Sequence, residues 1–299
     1  MYRDPEDPTM TDAGLPRITR VGLTVPPPAL AFTAALHSDP GPVRPDNEDC
    51  ARCVRDEGAA DGGPRVLLLV ADGMGGHQGG EVASRLGVDG LAGAFRRGAA
   101  LAPARLLDDA LRLAHRAVRE AAAAQPALQG MGTTMSALLV ERGRFVAANV
   151  GDSRLYLLRA GRLRRLSVDD TLVNAWAREG RLSAEAARHH PDRNLLTRAL
   201  GSDAVLEGDV VCAQGAVLPG DRFLLCSDGL HDVVPDERLA SLLRGGDPHA
   251  VVRALVDAAL RGGATDNVTA AVLDVAAADR SAATPDDDLR RTRPDLRQA

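Results

Sequence analysis

The sequence predicts an α+β layered sandwich. Short apolar strands follow one another through turn-like segments, which indicates antiparallel sheets. About 45 residues of helical pattern stand together between Gly80 and Gln125, which indicates helices laid on one face of a sheet. The core is expected to be aliphatic, because 45% of the residues are hydrophobic but only 2% are aromatic.

The first half of the predicted domain holds two strands followed by two amphipathic helices. The apolar runs at 30–39 and 65–73 are typical of strands, and a further short strand is expected after Asp49. In both helical segments the apolar side chains keep to one stripe, as in a helix that packs on a core. They are Val82, Leu86, Val88, Leu91 and Phe95 in the first helix and Leu107, Leu111, Ala114 and Val118 in the second.

The second half of the domain is predicted to combine strands with shorter helices. The segment 141–144, with the sequence ERGR, is expected to form a hairpin turn around its glycine. Strands are predicted at 133–140, 144–151, 153–161, 162–167, 204–214, 220–229 and 267–275. Helices are predicted at 172–190, 236–245 and 248–263.

Composition predicts one domain at 29–278 between two polar ends. The leader at 1–28 and the charged tail at 279–299 are both expected to be disordered. The net charge of −5, from 36 basic and 41 acidic residues, argues against a nucleic-acid partner. No apolar stretch reaches the roughly 18 residues that span a membrane, and no signal-peptide pattern begins the chain. A cytoplasmic protein without a membrane partner is therefore expected.

Two residue types narrow the chemistry. The chain contains no lysine, which excludes a lysine nucleophile, a Schiff base and the lysine of a P-loop. Cys50 and Cys53 form a C-x-x-C that is compatible with a redox pair, half of a zinc site or two structural thiols. No second C-x-x-C follows, so two reduced structural thiols are expected.

Aspartates at the ends of strands carry the main chemical signal. Asp72, Asp152 and Asp228 lie beside a glycine at the end of an aliphatic strand. Asp266 precedes such a strand, and Asp49 precedes a short one. A single aspartate of this kind is usually a turn or a cap. Several carboxylates gathered at one end of a sandwich repel one another unless cations hold them. Mg²⁺ or Mn²⁺ is favoured over zinc, because no histidine or cysteine is interleaved with these aspartates.

The stretch VADGMGGHQGG at 70–80 surrounds the first of these aspartates with glycines. A dinucleotide-binding loop would need a glycine where Gln78 stands, and a P-loop would need a lysine. The interpretation that remains is a loop beside a metal-binding aspartate. There, Gly73 can offer its carbonyl oxygen to a cation, while Gly75 and Gly76 can leave room for a phosphate ester and an attacking water.

Arg44 is a candidate phosphate ligand. It lies in GPVRPDNED, five residues before Asp49, and a guanidinium can bind two phosphate oxygens at once. In a chain so rich in arginine, a solvent-exposed surface residue is the alternative.

Six segments, taken in order, resemble one known motif series. They are RPDNED, VADGMGGHQGGEVAS, GTTMSALLV, ANVGDSRLY, LLCSDGL and TDNVTAAV. Together they resemble the motifs of the type 2C, metal-dependent protein serine/threonine phosphatases, particularly the bacterial members. The resemblance covers about 240 residues, from Ala34 to Val275. It implies a four-layer α-β-β-α sandwich of two antiparallel sheets flanked by helices, with a metal site at one end.

The resemblance implies two Mn²⁺ or Mg²⁺ ions, with a possible third. Asp72 matches the aspartate that bridges both metals, and Gly73 matches the glycine whose carbonyl oxygen binds one of them. Asp228 and Asp266 match the remaining aspartates of the cluster. Asp152 matches a position that helps to hold a third, weaker metal in bacterial members.

The resemblance also implies roles around the metals. Glu48 and Asp49 match acidic residues that orient metal-bound water, and Arg44 matches the phosphate-binding arginine. Asn267, beside Asp266, is expected to support the ligand geometry. The implied reaction is hydrolysis of phosphoserine or phosphothreonine by a water that bridges the two metals, without a phosphoenzyme.

Two segments depart from the family pattern or leave it open. Met74 stands where eukaryotic members often carry a histidine that is the supposed general acid, and a thioether cannot donate a proton. His77 lies nearby in sequence, but a metal-bound water is the favoured acid. The segment 166–201 resembles the bacterial flap beside the active site and is expected to shape substrate access. His189 and His190, within this flap, are expected to be exposed to solvent.

Three functions are compatible with these residues. The first is an active, monomeric phosphatase that acts on phosphoproteins, in opposition to a serine/threonine kinase. The second is a pseudophosphatase that binds a partner without turnover, and the third is a hydrolase of another phosphoester. The intact residues Asp72, Asp228, Asp266 and Arg44 favour an active enzyme over a binding module.

Overall fold

The fold is built around two five-stranded antiparallel sheets. The computed structural model describes residues 30–57, 63–75, 79–98, 101–202 and 205–278. The predicted leader at 1–28 and tail at 279–299 lie outside the described residues.

The strands within these ranges are numbered in chain order. They are β1 (Leu30–Asp39), β2 (Cys50–Asp56), β3 (Arg65–Ala71), β4 (Gly73–Met74), β5 (Gly132–Thr133), β6 (Met135–Glu141), β7 (Arg144–Val150), β8 (Arg154–Arg159), β9 (Arg162–Arg165), β10 (Val211–Ala216), β11 (Arg222–Cys226) and β12 (Val268–Ala277). The first sheet has the order β1-β12-β11-β8-β9, and the second has the order β10-β7-β6-β3-β2. Neighbouring strands in both sheets are antiparallel, and β4 and β5 form a separate short ribbon.

Seven α-helices lie within the described ranges, and most of them cover the outer face of a sheet. They are α1 (Gly79–Arg97), α2 (Pro103–Ala124), α3 (Leu172–Arg178), α4 (Ala184–Arg188), α5 (Asp228–His231), α6 (Asp236–Leu243) and α7 (Pro248–Arg261). The pair α1 and α2 packs on the second sheet, and α5 to α7 pack on the first. The predicted four-layer α-β-β-α sandwich is therefore confirmed. Of the helices that the structure describes, none has the length and hydrophobicity that crossing a bilayer demands.

Apolar side chains pack between each sheet and its helices and between the two sheets, and β3 contributes to two of these three cores. Val66, Leu68 and Val70 face the other sheet, whereas Leu67 and Leu69 face the helices. A strand that is buried on both faces reads as a continuous apolar run rather than an alternation. Each fully buried leucine stabilises the fold by about 1.5–3 kcal/mol. The run therefore anchors the strand that ends beside Asp72.

Residues with positive φ form one hairpin turn and interrupt one predicted helix. The predicted hairpin at 141–144 is confirmed, because Arg142 and Gly143 take φ values of 50° and 68°. A two-residue hairpin loop needs this left-handed pair. The predicted helix at 172–190 is instead broken into α3 and α4, because Gly180 has a φ of 71°. A residue in this conformation ends an α-helix.

Two predicted strands are shorter than expected. The strand predicted at 204–214 begins only at Val211. Before it, the carbonyl oxygens of Glu207 and Asp209 accept hydrogen bonds from the Arg198 side chain instead of from a neighbouring strand. The strand predicted at 220–229 ends at Cys226, because Asp228 begins the helical turn α5.

The two cysteines of the C-x-x-C are free thiols, as predicted. Cys50 packs against the layer between the second sheet and its helices, and Cys53 packs against the layer between the sheets. Residues three apart on a strand point to opposite faces. The two sulfur atoms therefore cannot act as one redox or metal-binding pair in this fold.

Candidate functional site

The predicted site residues meet in one cavity at an end of the sandwich. The cavity has a volume of about 690 Å³. It lies where β3 and β11 end and where β8 and β12 begin. Eight of the nine predicted site residues line it, namely Arg44, Glu48, Asp72, Gly73, Asp152, Asp228, Asp266 and Asn267. The ninth, Asp49, lies beside this site cavity, where Ser227 binds its carboxylate.

Asp72 is held in place by the two threonines of the motif GTTM. The Asp72 N–H donates to Thr134 Oγ1 over 2.9 Å. The Asp72 carbonyl oxygen accepts a hydrogen bond of 2.9 Å from Thr133 Oγ1 and another of 2.9 Å from the Thr134 N–H. These contacts satisfy the main chain where β3 ends, so the Asp72 carboxylate stays at the floor of the cavity.

Two buried carboxylates of the cluster have oxygen atoms without a partner. Ser227 Oγ donates to Asp49 Oδ2 over 2.7 Å and accepts a hydrogen bond from the Thr269 N–H. The second oxygen, Asp49 Oδ1, is buried and has no hydrogen-bond partner in the described part of the chain, and the same holds for Asp228 Oδ1. A buried charged oxygen without a partner is destabilising. Both atoms are therefore suited to bind a cation.

Electrostatic repulsion among the aspartates also favours a bound cation. Burial raises the pKa of Asp72 well above its ordinary value, and the carboxylates of Asp49 and Asp228 raise it further. Burial also raises the pKa of Asp49 to about 7 and that of Asp152 to about 8, with repulsion from Asp228 added in both cases. The pKa of Asp228 is itself raised by burial. A bound cation would remove this repulsion.

The donor set fits Mn²⁺ or Mg²⁺. The side chains at the floor of the cavity are carboxylates, and hard divalent ions prefer oxygen ligands. Among the described residues, no three histidine, cysteine or acidic side chains are grouped closely enough to hold an ion by themselves. These ions keep several waters and need only one or two carboxylates each, so the separation of the aspartates is compatible with them.

Asn267 fastens the loop that carries Arg44 to the start of β12. Its Oδ1 accepts a hydrogen bond of 2.8 Å from the Glu48 N–H, and its Nδ2 donates to the carbonyl oxygens of Pro40 and Asp46, each over 2.9 Å. Arg44 Nη2 lies 2.7 Å from Asp266 Oδ2. Asn267 thus fixes the loop that faces the aspartates.

The glycines of the 70–80 stretch allow close contact between main chains. A Cβ atom at Gly73 would collide with the carbonyl oxygen of Gly80, and one at Gly80 would lie 2.6 Å from the carboxyl carbon of Glu48. Gly75, with a φ of 133°, lies against the main chain of Met131. The absent side chain at Gly75 thus makes room for Met131, and Gly75 also lines the site cavity. The other predicted members of this loop, Gly76 and His77, lie outside the described residues.

Asp152 is positioned from two sides. Gly151, just before it, exchanges two hydrogen bonds of 3.0 Å with Asp170 at the base of the flap. His231 Nε2 lies 3.0 Å from the Asp152 carbonyl oxygen and therefore acts as the donor. The base of the flap is held in turn by Arg198, whose Nε donates to Asp170 Oδ2 over 2.9 Å. Asp152 is thus linked both to the flap and to α5, which begins with Asp228.

The flap also forms one wall of the site cavity. Asn194, Leu195 and Leu196 line it, together with Met74 from the ribbon. Met74 thus lies on a wall of the cavity and has no proton to donate.

The two flap histidines behave differently. His189 is exposed, as predicted, with 78% of its side chain accessible. His190 is only partly exposed, with 27% of its side chain accessible. Its ring packs against Trp176 with a centroid distance of 5.5 Å, which covers part of it.

Several residues of the site were not anticipated. Ser227 and Thr134 are polar residues at the ends of apolar strands, directly beside or across from the aspartates, and this placement was a usable signal. His231 had a weaker signal, a histidine three residues after Asp228. Leu195 had none, because its place on the cavity wall depends on how the flap folds back.

Residues 51–250 match the protein phosphatase 2C family, and the two antiparallel sheets flanked by helices agree with that match. The chain belongs to that family. It is 41% identical over 249 residues to the serine/threonine protein phosphatase PstP of Mycobacterium tuberculosis, a match that covers 82% of this chain but only 45% of PstP. The chain thus corresponds to less than half the length of that relative.

Two further comparisons agree with this family. The serine/threonine phosphatase stp of Listeria monocytogenes is 38% identical over 218 residues, which cover 71% of this chain and 82% of stp. A crystal structure of the PstP catalytic domain in complex with two manganese ions superposes with a TM-score of 0.71 at 39% identity. That match covers 83% of this chain and 99% of the other.

Proposed function

We propose that this chain is a metal-dependent protein serine/threonine phosphatase that hydrolyses phosphoserine and phosphothreonine with water as the nucleophile. The observation that carries this function is the cluster of buried carboxylates with raised pKa values, which lines a cavity opposite Arg44. The phosphatase names of the relatives and the two manganese ions of the PstP complex support it.

We assign the residues of the cluster as the resemblance implies. Asp72, the Gly73 carbonyl oxygen, Asp228 and Asp266 would hold two Mn²⁺ or Mg²⁺ ions, and Asp152 would help to hold a third. Such ions supply positive charge for the phosphate oxygens and lower the pKa of water. The partners are phosphorylated proteins, including the substrates of a serine/threonine kinase, and we propose a monomer.

The protein's own groups would orient the substrate and water. Glu48 and Asp49 would accept hydrogen bonds from water at the aspartate cluster, and Asn267 keeps Glu48 in place through its main chain. Arg44 is half exposed, so its guanidinium can turn from Asp266 to a phosphate without a large conformational change. Met74 carries no transferable proton, so the leaving oxygen would take its proton from water.

The lining of the cavity supports water rather than a side chain as nucleophile. The described residues that line it include no cysteine, serine or histidine. The hydroxyl of Thr134 is already engaged by the Asp72 N–H and by Ser153 Oγ. Cys226, near the cluster in sequence, is fully buried, and burial raises its pKa to about 12. A phosphoenzyme is therefore not part of the proposed reaction.

Metal removal tests the proposed function. We expect the purified chain to release phosphate from a phosphothreonine peptide with Mn²⁺, to stop in EDTA and to recover when Mn²⁺ is restored. Turnover that survives EDTA would contradict a metal-dependent reaction. Binding of several phosphopeptides without turnover would point to a pseudophosphatase instead. Release of phosphate only from non-protein esters would point to another phosphoester hydrolase.

Arg44→Ala is expected to lower kcat/KM for the same peptide by about 10- to 100-fold, mainly through KM. The reason is the loss of a forked, charge-assisted contact with phosphate, which contributes roughly 1.5–3 kcal/mol. Arg44→Lys keeps the charge but not the forked contact, so its kcat/KM should lie between those of the unmodified protein and Arg44→Ala. Steady-state kinetics at saturating Mn²⁺ would measure this, with Arg105→Ala, an exposed arginine on α2, as the matched control. Equal KM values for the Arg44→Ala and Arg105→Ala variants would show that Arg44 does not bind phosphate.

A further inference from the structure

Leu195 is an exposed apolar side chain in an unusual place. Eight large hydrophobic side chains in the described part of the chain are at least about one-third exposed, and Leu195 is 54% exposed. Of these eight, Leu195 alone lines the site cavity. Single exposed leucines need no explanation elsewhere on a surface, but apolar groups that rim a polar cavity are typical of ligand recognition.

The main chain at Leu195 is fixed on both sides. Its N–H donates to the Asp192 carbonyl oxygen over 3.0 Å, and its own carbonyl oxygen accepts a hydrogen bond of 2.9 Å from the Leu172 N–H. The next residue, Leu196, forms a bridge to Thr171. The side chain is therefore presented from a turn whose main chain is hydrogen-bonded on both sides of Leu195.

The flap itself is fastened to the aspartate cluster. Arg198 links Asp170 to the main-chain oxygens of Glu207 and Asp209. Asp170 in turn holds Gly151, next to Asp152. These contacts fasten the flap, which carries Leu195, beside the part of the cluster that holds Asp152.

We infer that Leu195 forms an apolar subsite that selects phosphopeptides with an aliphatic residue next to the phosphorylated serine or threonine. The inference rests on the proposed function. Once the phosphate lies at the aspartates, the neighbouring peptide residue must pass along the walls of the cavity, where Leu195, Leu196, Met74 and Pro45 supply apolar surface. An aliphatic neighbour would cover this surface from water, whereas an acidic neighbour would also meet the carboxylates on the floor.

The subsite predicts a measurable substrate preference. Two phosphothreonine peptides would be compared that differ only in carrying leucine or glutamine on both sides of the phosphorylated residue. We expect the unmodified protein to prefer the leucine peptide by about tenfold in kcat/KM, mostly through KM. In Leu195→Ala the preference should fall to about twofold or less, and Leu195→Met, which restores a long apolar side chain, should recover most of it.

Leu113→Ala is the matched control. Leu113 is 53% exposed on α2 and does not line the cavity, so this variant should keep the full preference. Equal turnover of both peptides by the unmodified protein, or a preference that survives in Leu195→Ala, would overturn the subsite while leaving the proposed function intact. Release of phosphate from neither peptide would overturn the proposed function and the subsite with it.

Discussion

Asp72→Asn is expected to reduce kcat/KM for a phosphothreonine peptide by roughly 10³-fold or more. Asp72 ends the buried strand β3 at the centre of the cluster, and its main chain is fixed by Thr133 and Thr134. The substitution keeps the size of the side chain and removes its charge. The loss of activity would therefore report the loss of a carboxylate ligand and not a change of shape.

The same substitution is expected to raise the stability of the metal-free protein. Burial and the neighbouring carboxylates disfavour the charged form of Asp72, as its raised pKa indicates. A neutral amide removes that repulsion, and each 1 kcal/mol gained would raise Tm by about 2–4 °C in a chain of this size. Thermal unfolding in EDTA would measure this shift. Asp257→Asn, which neutralises an exposed carboxylate on α7, is the control and should change Tm little.

Two results would contradict this account of Asp72. One is a variant that keeps most of its turnover at saturating Mn²⁺, because the carboxylate would then not be a ligand. The other is a lower Tm in EDTA, because the carboxylate would then stabilise the fold without a metal. Loss of activity together with gain of stability is the pattern of a residue kept for function at a cost to stability.

The aspartates could be located from the sequence because their signal is local. Asp72 and Asp228 each follow an apolar run, and Asp266 precedes one. A strand that is buried between two layers has to end where its chain reaches the surface. Antiparallel strands then bring some of these ends to the same edge of the sandwich. The floor of the cavity was therefore predictable from periodicity and strand boundaries.

The contacts that orient the cluster were not predictable in this way. Ser227 binds Asp49 across 178 positions of the chain, and Asn267 binds the Glu48 main chain across 219. No periodic pattern encodes such pairs, since they depend on the order of the strands within each sheet. The same holds for Arg198, whose hydrogen bonds to main-chain oxygens shorten the strand predicted at 204–214.

The glycine-rich stretch at 70–80 predicts a crowded place correctly, but the sequence does not show which groups approach it. Its glycines predict a place where a side chain would be in the way, and the structure agrees. What they make room for at Gly73 and Gly80 is another main chain and the Glu48 side chain. This packing brings Glu48 beside Asp72 along the same cavity. The glycines thus affect the site by letting the segments that carry Asp72 and Glu48 pack closely together.

The free energy of unfolding of the metal-free protein is expected to fall as the pH rises from about 5 to about 8. Aspartates in an unfolded chain titrate near their ordinary pKa of about 3.9. In the folded protein the pKa of Asp49 is about 7 and that of Asp152 about 8, and those of Asp72 and Asp228 are also raised. Between these limits the folded state binds more protons than the unfolded state. Raising the pH removes these protons from the folded state, so the folded state is destabilised.

Mn²⁺ should reverse this dependence. A cation favours the deprotonated carboxylates, so binding releases protons and strengthens as the pH rises. Urea unfolding at pH 5, 6, 7 and 8, in EDTA and in excess Mn²⁺, would measure both slopes. Asp72→Asn and Asp49→Asn should each flatten the slope in EDTA, because each removes one of the titrating groups, whereas Asp257→Asn should leave it unchanged. A metal-free protein that becomes more stable between pH 5 and pH 8 would mean that these aspartates are ionised without a cation. The cluster would then have no electrostatic need for metal.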